Sequence, residues 1–324
     1  MPVAAYAVAS DTGRRRRHNE DDYVVSPPLF AVADGMGGAQ AGEVASGLAA
    51  GALKGGDSNG LDGLERVDAL IQEANRRIYD RASNDPTASG MGTTMTVALV
   101  RGMTVAIGHV GDSRAYLVRG ETMEQLTEDH SLVNELMKSG KLSEEEAQVH
   151  PQRSVITRSV GTDPDVDVDG FTIEAEEGDI FLLCSDGLTD MVEDEEILEL
   201  VHRNRDDLEK AVKALVSAAN RGGGEDNITA VAFQMTAEAA ASPEDTVAMP
   251  ALTDEDEPPP DEPDERTREY ADVPKADTMV IPPDEVAEPP VAEHEPQARR
   301  VRIVLVGLLL LAIAAALIVW WLVR

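Results

Sequence analysis

The sequence predicts a mixed α and β domain over residues 1–236, then a disordered linker over 237–298 and a transmembrane helix over 303–323. In the first part, short apolar runs that end in glycine alternate with longer amphipathic stretches, as strands alternate with helices. Twelve of the 18 prolines lie between Pro243 and Pro296, among many Asp and Glu residues. An uncharged apolar run then follows this acidic tract.

Strands are predicted where short apolar runs are bounded by glycine or polar turn residues. They are residues 1–10, 29–33, 93–101, 103–110, 114–118, 171–173, 179–185 and 225–233. Helices are predicted where apolar residues recur every three or four positions. They are residues 39–53, 61–82, 193–201 and 206–220. The three strands between 93 and 118 follow one another through tight turns, which predicts an antiparallel meander.

An acidic residue stands beside glycine or asparagine at four places where an apolar run ends or begins. These residues are Asp34, Asp112, Asp186 and Asp226. One Asp-Gly pair alone is more often a simple turn. Four strand ends could bring their carboxylates together, and close carboxylates repel one another unless cations neutralise them. An oxygen-only cluster, to which the Gly35 carbonyl could contribute, suits Mg²⁺ or Mn²⁺, and no Cys and His grouping offers a zinc site.

The charge balance excludes some functions. The net charge is −33, and phosphate-backbone binding needs clustered Lys and Arg, so we expect no nucleic-acid partner. Arg14–Arg17 is the only basic run in the first domain, and such a run is usually a solvated face.

The single cysteine, Cys184, excludes an intrachain disulfide and is predicted to be a buried core thiol. His109, inside an apolar strand, is predicted to be a core histidine.

A set of motifs in a fixed order resembles the type 2C metal-dependent protein serine/threonine phosphatases, bacterial branch. The motifs are Gly13, Arg16 and Asn19-Glu20-Asp21; Ala33 to Gly38; Gly92-Thr93-Thr94; Gly111-Asp112-Ser113-Arg114; Ser185-Asp186-Gly187-Leu188; and Asp226-Asn227-Ile228-Thr229. The resemblance covers residues 1–236. It implies an α+β fold in which a central antiparallel β-sandwich is flanked by helices on both faces (α-β-β-α). Residues of about 129–165, with predicted helices over 131–139 and 142–149 and a turn at Gly140, would form a flap beside the metal site, although a helical insertion without function is the alternative.

The resemblance also implies roles for individual residues. Asp34 would bridge two Mn²⁺ or Mg²⁺ ions, the Gly35 carbonyl would bind one, and Asp186 and Asp226 would hold the other. Asp112, with Asp186, would bind a third, weaker metal, although Asp112 could instead be a turn acid paired with Arg114. A hydroxide between the metals would attack phosphorus.

The resemblance also implies roles for residues that surround the metal ligands. Arg16 would clamp the phosphate, and Glu20 and Asp21 would orient metal-bound waters. Many eukaryotic relatives have histidine as the leaving-group acid where this chain has Met36. Methionine cannot donate a proton, so the acid is not identified.

The tail predicts a membrane tether. The acidic, proline-rich linker cannot bury enough apolar surface to fold. It contains two similar pieces around Thr246 and Thr278, which are either kinase or docking motifs or chance similarity in a low-complexity tract. The run 303–323 has 21 residues, about 31 Å as a helix, which matches a bilayer core of about 30 Å. The arginines before it place the linker inside the cell. We therefore expect a single-pass tail anchor in the inner membrane with a cytoplasmic catalytic domain.

The resulting expectation is a membrane-tethered phosphatase that hydrolyses phosphoserine and phosphothreonine in proteins, with a serine/threonine kinase and its substrates as partners. One alternative is a catalytically weak scaffold of the same fold that binds phosphoproteins. Another is a metal-dependent hydrolase of small phosphate esters.

Overall fold

Two antiparallel β-sheets dominate the computed structural model, which describes residues 2–37, 41–55, 60–143, 146–147 and 150–237. In chain order the strands are β1 (Val3–Asp11), β2 (Asp21–Ser26), β3 (Leu29–Met36), β4 (Gly92–Thr93), β5 (Met95–Arg101), β6 (Thr104–Val110), β7 (Arg114–Arg119), β8 (Thr122–Gln125), β9 (Asp169–Glu174), β10 (Ile180–Cys184) and β11 (Ile228–Met235). The α-helices are α1 (Ala41–Gly55), α2 (Gly63–Asn84), α3 (Leu132–Lys138), α4 (Asp186–Thr189), α5 (Asp194–Arg203) and α6 (Leu208–Gly222).

The sheets pack face to face around a shared apolar layer. One sheet has the order β1-β11-β10-β7-β8, and the other has β2-β3-β5-β6-β9 with β4 beside β3. Three aromatic rings join them: Phe233 stacks on Phe30 with centroids 4.3 Å apart, and on Phe181 with centroids 5.0 Å apart. Phe30 comes from the second sheet, so this stack crosses the sandwich.

Helices cover the outer face of each sheet. In α1 the buried positions Ala45, Ala49 and Ala52 have small side chains, which let the helix lie close to β3. Helix α2 begins after the N-cap Asp62, which accepts a hydrogen bond from Gly63, and it buries an apolar stripe. Helix α6 packs on β1 and β11 of the other sheet. The predicted α-β-β-α sandwich is therefore confirmed.

The element boundaries differ from the sequence predictions where long-range pairing decides them. Strand β3 continues past Asp34 because Gly35 and Met36 pair with β4. The predicted strand 93–101 is split at Thr94. Strand β8, the 3₁₀ turn Pro86–Ala88 and the one-turn helix α4 were not predicted, because each is too short to show a periodic pattern.

Some predictions fall on other parts of the chain. The linker over 237–298, apart from residue 237, and the segment 303–323 lie outside the described residues, as do Thr246 and Thr278. Within the described ranges, no helix is both long and apolar enough to span a bilayer. In the flap, the helix predicted over 131–139 is α3, and the turn at Gly140 is present with φ +68°. The second predicted flap helix, 142–149, is described only in part.

Candidate metal centre

The first part of the site is built by β2 and β3. Antiparallel pairing places Asp21, the first residue of β2, opposite Asp34 near the end of β3. The backbone of Asp34 is fixed by Thr94, which donates its N–H to the Asp34 carbonyl (2.9 Å) and accepts the Asp34 N–H on Oγ1 (2.9 Å). The N–H of Gly35 donates to the Glu20 carbonyl (3.1 Å). Both carboxylates therefore lie at the same end of the sheet.

Glycine is required where β3 meets the start of α1. A Cβ on Gly35 would lie 2.1 Å from the Gly42 carbonyl oxygen and 2.6 Å from that of Glu20. A Cβ on Gly42 would in turn lie 2.6 Å from the Gly35 carbonyl oxygen and 2.9 Å from the Glu20 carboxyl carbon. These contacts bring the Gly35 carbonyl and the Glu20 side chain close together. Gly42 was not among the site residues predicted from the sequence.

The second part of the site comes from the other sheet. Asp186 is the first residue of α4, directly after β10, and Asp226 lies two residues before β11. Because β10 and β11 are antiparallel neighbours, these two positions are at the same end of the sheet. A Cβ on Gly187 would lie only 2.0 Å from the Asn227 carbonyl oxygen, so the two segments are in direct contact.

Asn227 fixes the loop that carries Arg16. Its amide oxygen accepts the Glu20 N–H (2.8 Å), and its Nδ2 donates to the carbonyls of Thr12 and His18 (3.0 and 2.9 Å). Arg16 Nη2 donates to Asp226 Oδ2 at 2.6 Å, while half of the Arg16 side chain remains exposed (49%). The guanidinium predicted to bind phosphate is thus held at the edge of the carboxylate cluster.

Asp112 lies in the turn between β6 and β7 and is only 8% exposed. Arg114 donates to both carboxylate oxygens of Asp129 and to Tyr116, and among the described residues no hydrogen bond joins it to Asp112. The Oδ1 atom of Asp112 is buried without a hydrogen-bond partner in the described part of the chain, as are Asp21 Oδ1 and Asp186 Oδ1. Buried carboxylate oxygens without donors are costly unless a cation or water satisfies them.

The carboxylates strongly affect one another's ionisation. Burial, and then the charges of Asp21, Asp186, Asp112 and Asp226, raise the pKa of Asp34 well above its usual value. Burial and neighbouring acids do the same for the pKa of Asp186. Burial raises the pKa of Asp112 to about 7 and that of Asp21 to about 6. This cluster therefore carries more negative charge than the protein alone can stabilise.

These residues fit hard divalent cations. The donors are carboxylate and carbonyl oxygens, which Mg²⁺ and Mn²⁺ prefer. As they stand, no three His, Cys, Asp or Glu side chains among the described residues are arranged so that they could hold a metal ion by themselves. The mutual pKa effects nevertheless show that the acids are neighbours. We regard the cluster as an open one, in which the Gly35 carbonyl and water would complete the coordination, because Mg²⁺ usually keeps several waters.

Ser185 and Thr229 support the site but were not assigned roles from the sequence. Asp21 Oδ2 accepts hydrogen bonds from Ser185 Oγ (2.9 Å) and Thr229 Oγ1 (2.6 Å). Both residues belong to the motifs that carry the resemblance, so the sequence marked them. Only the pairing of distant strands shows that their hydroxyl groups bond to Asp21. Glu20 has a raised pKa, first because of burial.

Cys184 and His109 are buried, as predicted. His109 bonds Thr96 Oγ1 (2.9 Å) and the Glu128 carbonyl (3.1 Å). Burial lowers the pKa of His109 to about 4, so it is neutral near pH 7.

Comparison with known proteins agrees with this geometry. The family model described as protein phosphatase 2C matches residues 13–136 and 145–228. A serine/threonine phosphatase, stp, from Listeria innocua is 42% identical over 231 residues, which are 68% of this chain and 91% of that protein. The serine/threonine protein phosphatase PstP of Mycobacterium tuberculosis is also 42% identical over 231 residues, 71% of this chain and 44% of that protein.

Solved structures agree as well. The crystal structure of Mycobacterium tuberculosis PstP/Ppp superposes with a TM-score of 0.68 at 41% identity, covering 72% of this chain and 98% of that one. The PstP catalytic domain in complex with two manganese ions gives a TM-score of 0.66 at 39% identity, covering 72% and 98%. On the strength of the family match and of these bacterial relatives, the chain belongs to the protein phosphatase 2C family.

Proposed function

We propose that this chain is a Mn²⁺- or Mg²⁺-dependent protein phosphatase that hydrolyses phosphoserine and phosphothreonine. The observation that carries the proposal is the cluster of Asp34, Asp112, Asp186 and Asp226, whose segments from both sheets meet beside Arg16. Relatives that match over the same region are named serine/threonine phosphatases. A structural neighbour was solved with two manganese ions.

The cluster offers ligands for two ions. Asp34 would bridge them, the Gly35 carbonyl would bind one, and Asp186 and Asp226 would hold the other; Asp112 with Asp186 would serve a weaker third ion. When bound, such ions would lower the pKa of a coordinated water, so that it could act as the nucleophile at neutral pH, and would neutralise charge on the phosphoryl group. Two buried oxygens without donors, on Asp112 and Asp186, support this assignment.

The remaining residues bind and orient. The Arg16 guanidinium, half-exposed and bonded to Asp226, can turn its free donors to two phosphoryl oxygens, because its planar fork matches that geometry. Ser185 and Thr229 occupy one oxygen of Asp21 and leave Oδ1 to accept from a water, which would orient that water beside the ions. The Glu20 backbone N–H donates to Asn227, and its carboxyl group lies beside Gly42. Glu20 would likewise orient a water, from the side of α1.

We further propose that the chain is tethered to the cytosolic face of the inner membrane by residues 303–323, with the acidic linker as a spacer. The uncharged length of that run supports this. A serine/threonine kinase and its substrates would be the partners. Membrane fractionation of the full chain and of a chain ending at residue 298 tests the tether. Recovery of both forms in the same fraction would contradict it.

Hydrolysis of a phosphothreonine peptide tests the activity. The wild type with Mn²⁺, the wild type with chelator, and Asp34→Asn with Mn²⁺ are compared, using a small phosphate ester as a second substrate. We expect phosphate release only from the wild type with Mn²⁺, with a higher kcat/KM for the peptide. Peptide binding without release under any divalent ion would favour the scaffold alternative. A higher kcat/KM for the small ester would favour the esterase alternative.

A further inference from the structure

His130, at the start of the flap, holds Gly111 in two ways. Its backbone N–H donates to the Gly111 carbonyl (2.7 Å), and its side-chain Nδ1 accepts the Gly111 N–H (3.0 Å). Both polar backbone groups of Gly111 are therefore bonded to one residue. Gly111 has φ +112°, and it directly precedes Asp112. Its conformation sets the direction in which the chain presents the Asp112 side chain.

The other side of the His130 ring contacts β9 and the later part of the flap. Nε2 lies 3.1 Å from Asp169 Oδ2 and 3.0 Å from Arg158 Nη1, and Arg158 Nη1 donates to Asp169 Oδ1 at 2.5 Å, so the Asp169 carboxylate accepts from both residues. Because Nδ1 accepts a hydrogen bond, the ring proton is on Nε2, which donates to Asp169. The carbonyl of His130 accepts the N–H of Thr157 (2.8 Å). His130 is 8% exposed and its bond to the Gly111 N–H is buried, whereas the Asp169 side chain is 44% exposed.

The residue after Asp112 is held by the strand that carries Asp34. Ser113 Oγ and Thr94 Oγ1 share a hydrogen bond of 2.7 Å, and Thr94 Oγ1 also accepts the Asp34 N–H. Both neighbours of Asp112 are thus held by hydrogen bonds. Ser113 is linked to β3 through Thr94, and Gly111 is linked to the flap through His130. The Oδ1 atom of Asp112 is buried and lacks a hydrogen-bond partner in the described part of the chain.

We propose that His130 is a positioning residue that directs the Asp112 carboxylate at the metal cluster and makes this direction depend on the placement of the flap. The proposal rests on the proposed function, in which Asp112 binds the weaker third ion. His130 acts through Nδ1, which accepts the Gly111 N–H and fixes the backbone of Gly111. The size of the imidazole ring is not what matters. Loss of an outer partner of a metal ligand typically lowers metal affinity about 10–100-fold.

The test separates the two nitrogens of the ring. In His130→Asn the amide oxygen occupies the position of Nδ1 and keeps the acceptor for Gly111. In His130→Gln the side-chain amide reaches the position of Nε2. It keeps a hydrogen-bonding group for Asp169 but no longer offers an acceptor to the Gly111 N–H. Mn²⁺ binding to the full chain is followed by the electron paramagnetic resonance of free Mn²⁺, together with the Mn²⁺ dependence of peptide hydrolysis and the Tm. Asp112→Asn is the reference for loss of the third ion.

We expect His130→Gln to weaken the third Mn²⁺ about 10–100-fold, as Asp112→Asn does, with the two tighter ions unchanged. His130→Asn should stay within about threefold of wild type in the same titration, since it keeps the Gly111 bond. If both His130 variants lost third-ion affinity equally and both also had a lower Tm, the proposal would be overturned, because the role of His130 would then be purely structural. Unchanged third-ion affinity in His130→Gln, or in Asp112→Asn, would overturn it as well. Failure of the proposed function is distinct, because then the wild type would release no phosphate with any ion.

Discussion

The metal-free carboxylate cluster should destabilise the fold, and replacing Asp112 by Asn should relieve part of this cost. Burial raises the pKa of Asp112 from 3.8 to about 7. Each pKa unit corresponds to about 1.4 kcal/mol, so ionising Asp112 in the folded state costs at most ~4 kcal/mol. Neighbouring acids can take up protons as Asp112 loses its own, so we expect a gain of ~1–3 kcal/mol for Asp112→Asn at pH 8.

The sign of the pH dependence follows from the direction of the shift. Well below pH 3.8 the carboxyl is protonated in both the folded and unfolded states, and it contributes nothing. Between 3.8 and about 7 the unfolded state ionises first, so the stability of the metal-free wild type falls as pH rises. Above about pH 7 the full cost is present. The advantage of Asp112→Asn should therefore be largest at pH 8 and small at pH 4.

Urea unfolding of residues 1–237 with chelator, at pH 4 and pH 8, measures this difference. Mn²⁺ should reverse it, because a bound cation removes the repulsion in the wild type and stabilises the folded state by mass action. A variant that is no more stable than the wild type at pH 8 without metal would refute the reasoning. So would a gain of equal size at both pH values.

Three further substitutions test other parts of the structure. Arg16→Lys should raise KM for a phosphopeptide about tenfold and change kcat less, since an ammonium cannot make two parallel bonds to phosphate; steady-state kinetics measure this. Gly13→Ala should lower the free energy of unfolding by more than ~1–3 kcal/mol, because φ is +79° and the new Cβ would lie 2.1 Å from the Asp226 carbonyl oxygen. Phe233→Ala should cost ~3–5 kcal/mol in urea unfolding, because the ring fills the layer between the sheets, with no loss of activity per folded molecule.

Matched controls make these outcomes specific. Arg17→Lys changes an exposed neighbour of Arg16 and should leave KM unchanged; an equal rise in KM would contradict the role of Arg16. Gly90→Ala has a similar φ of +77° but open space around the new Cβ, so it should cost less than Gly13→Ala. Equal costs would show that the contact with Asp226 does not matter. A fall in activity of Phe233→Ala at unchanged stability would contradict a packing role.

Local sequence patterns predicted most of the elements because burial produces them directly. The apolar spacing of α2 reflects one buried face, and the continuous apolar run before Asp34 reflects a strand that is buried on both faces. Strand ends were less predictable, since β3 extends through Gly35 only because β4 pairs with it. Helix α4 is a single turn, too short for a period to be visible.

The candidate site was predictable as a set of residues but not as an arrangement. The four aspartates stand out in sequence because each adjoins a glycine or asparagine at the end or start of an apolar run. Their meeting depends on pairings between distant strands, such as Asp21 with Asp34. His130 showed no motif of its own, and its contact with Gly111 comes from the return of the flap to the sandwich.

The central claim is that the carboxylate cluster binds two divalent ions through a shared Asp34. The most direct measurement is the number of Mn²⁺ ions bound tightly by the metal-free wild type and by Asp34→Asn, from isothermal titration calorimetry. We predict two tight ions per wild-type chain and the loss of tight binding of both in Asp34→Asn. An Asp34→Asn chain that still binds two ions with wild-type affinity would contradict the account.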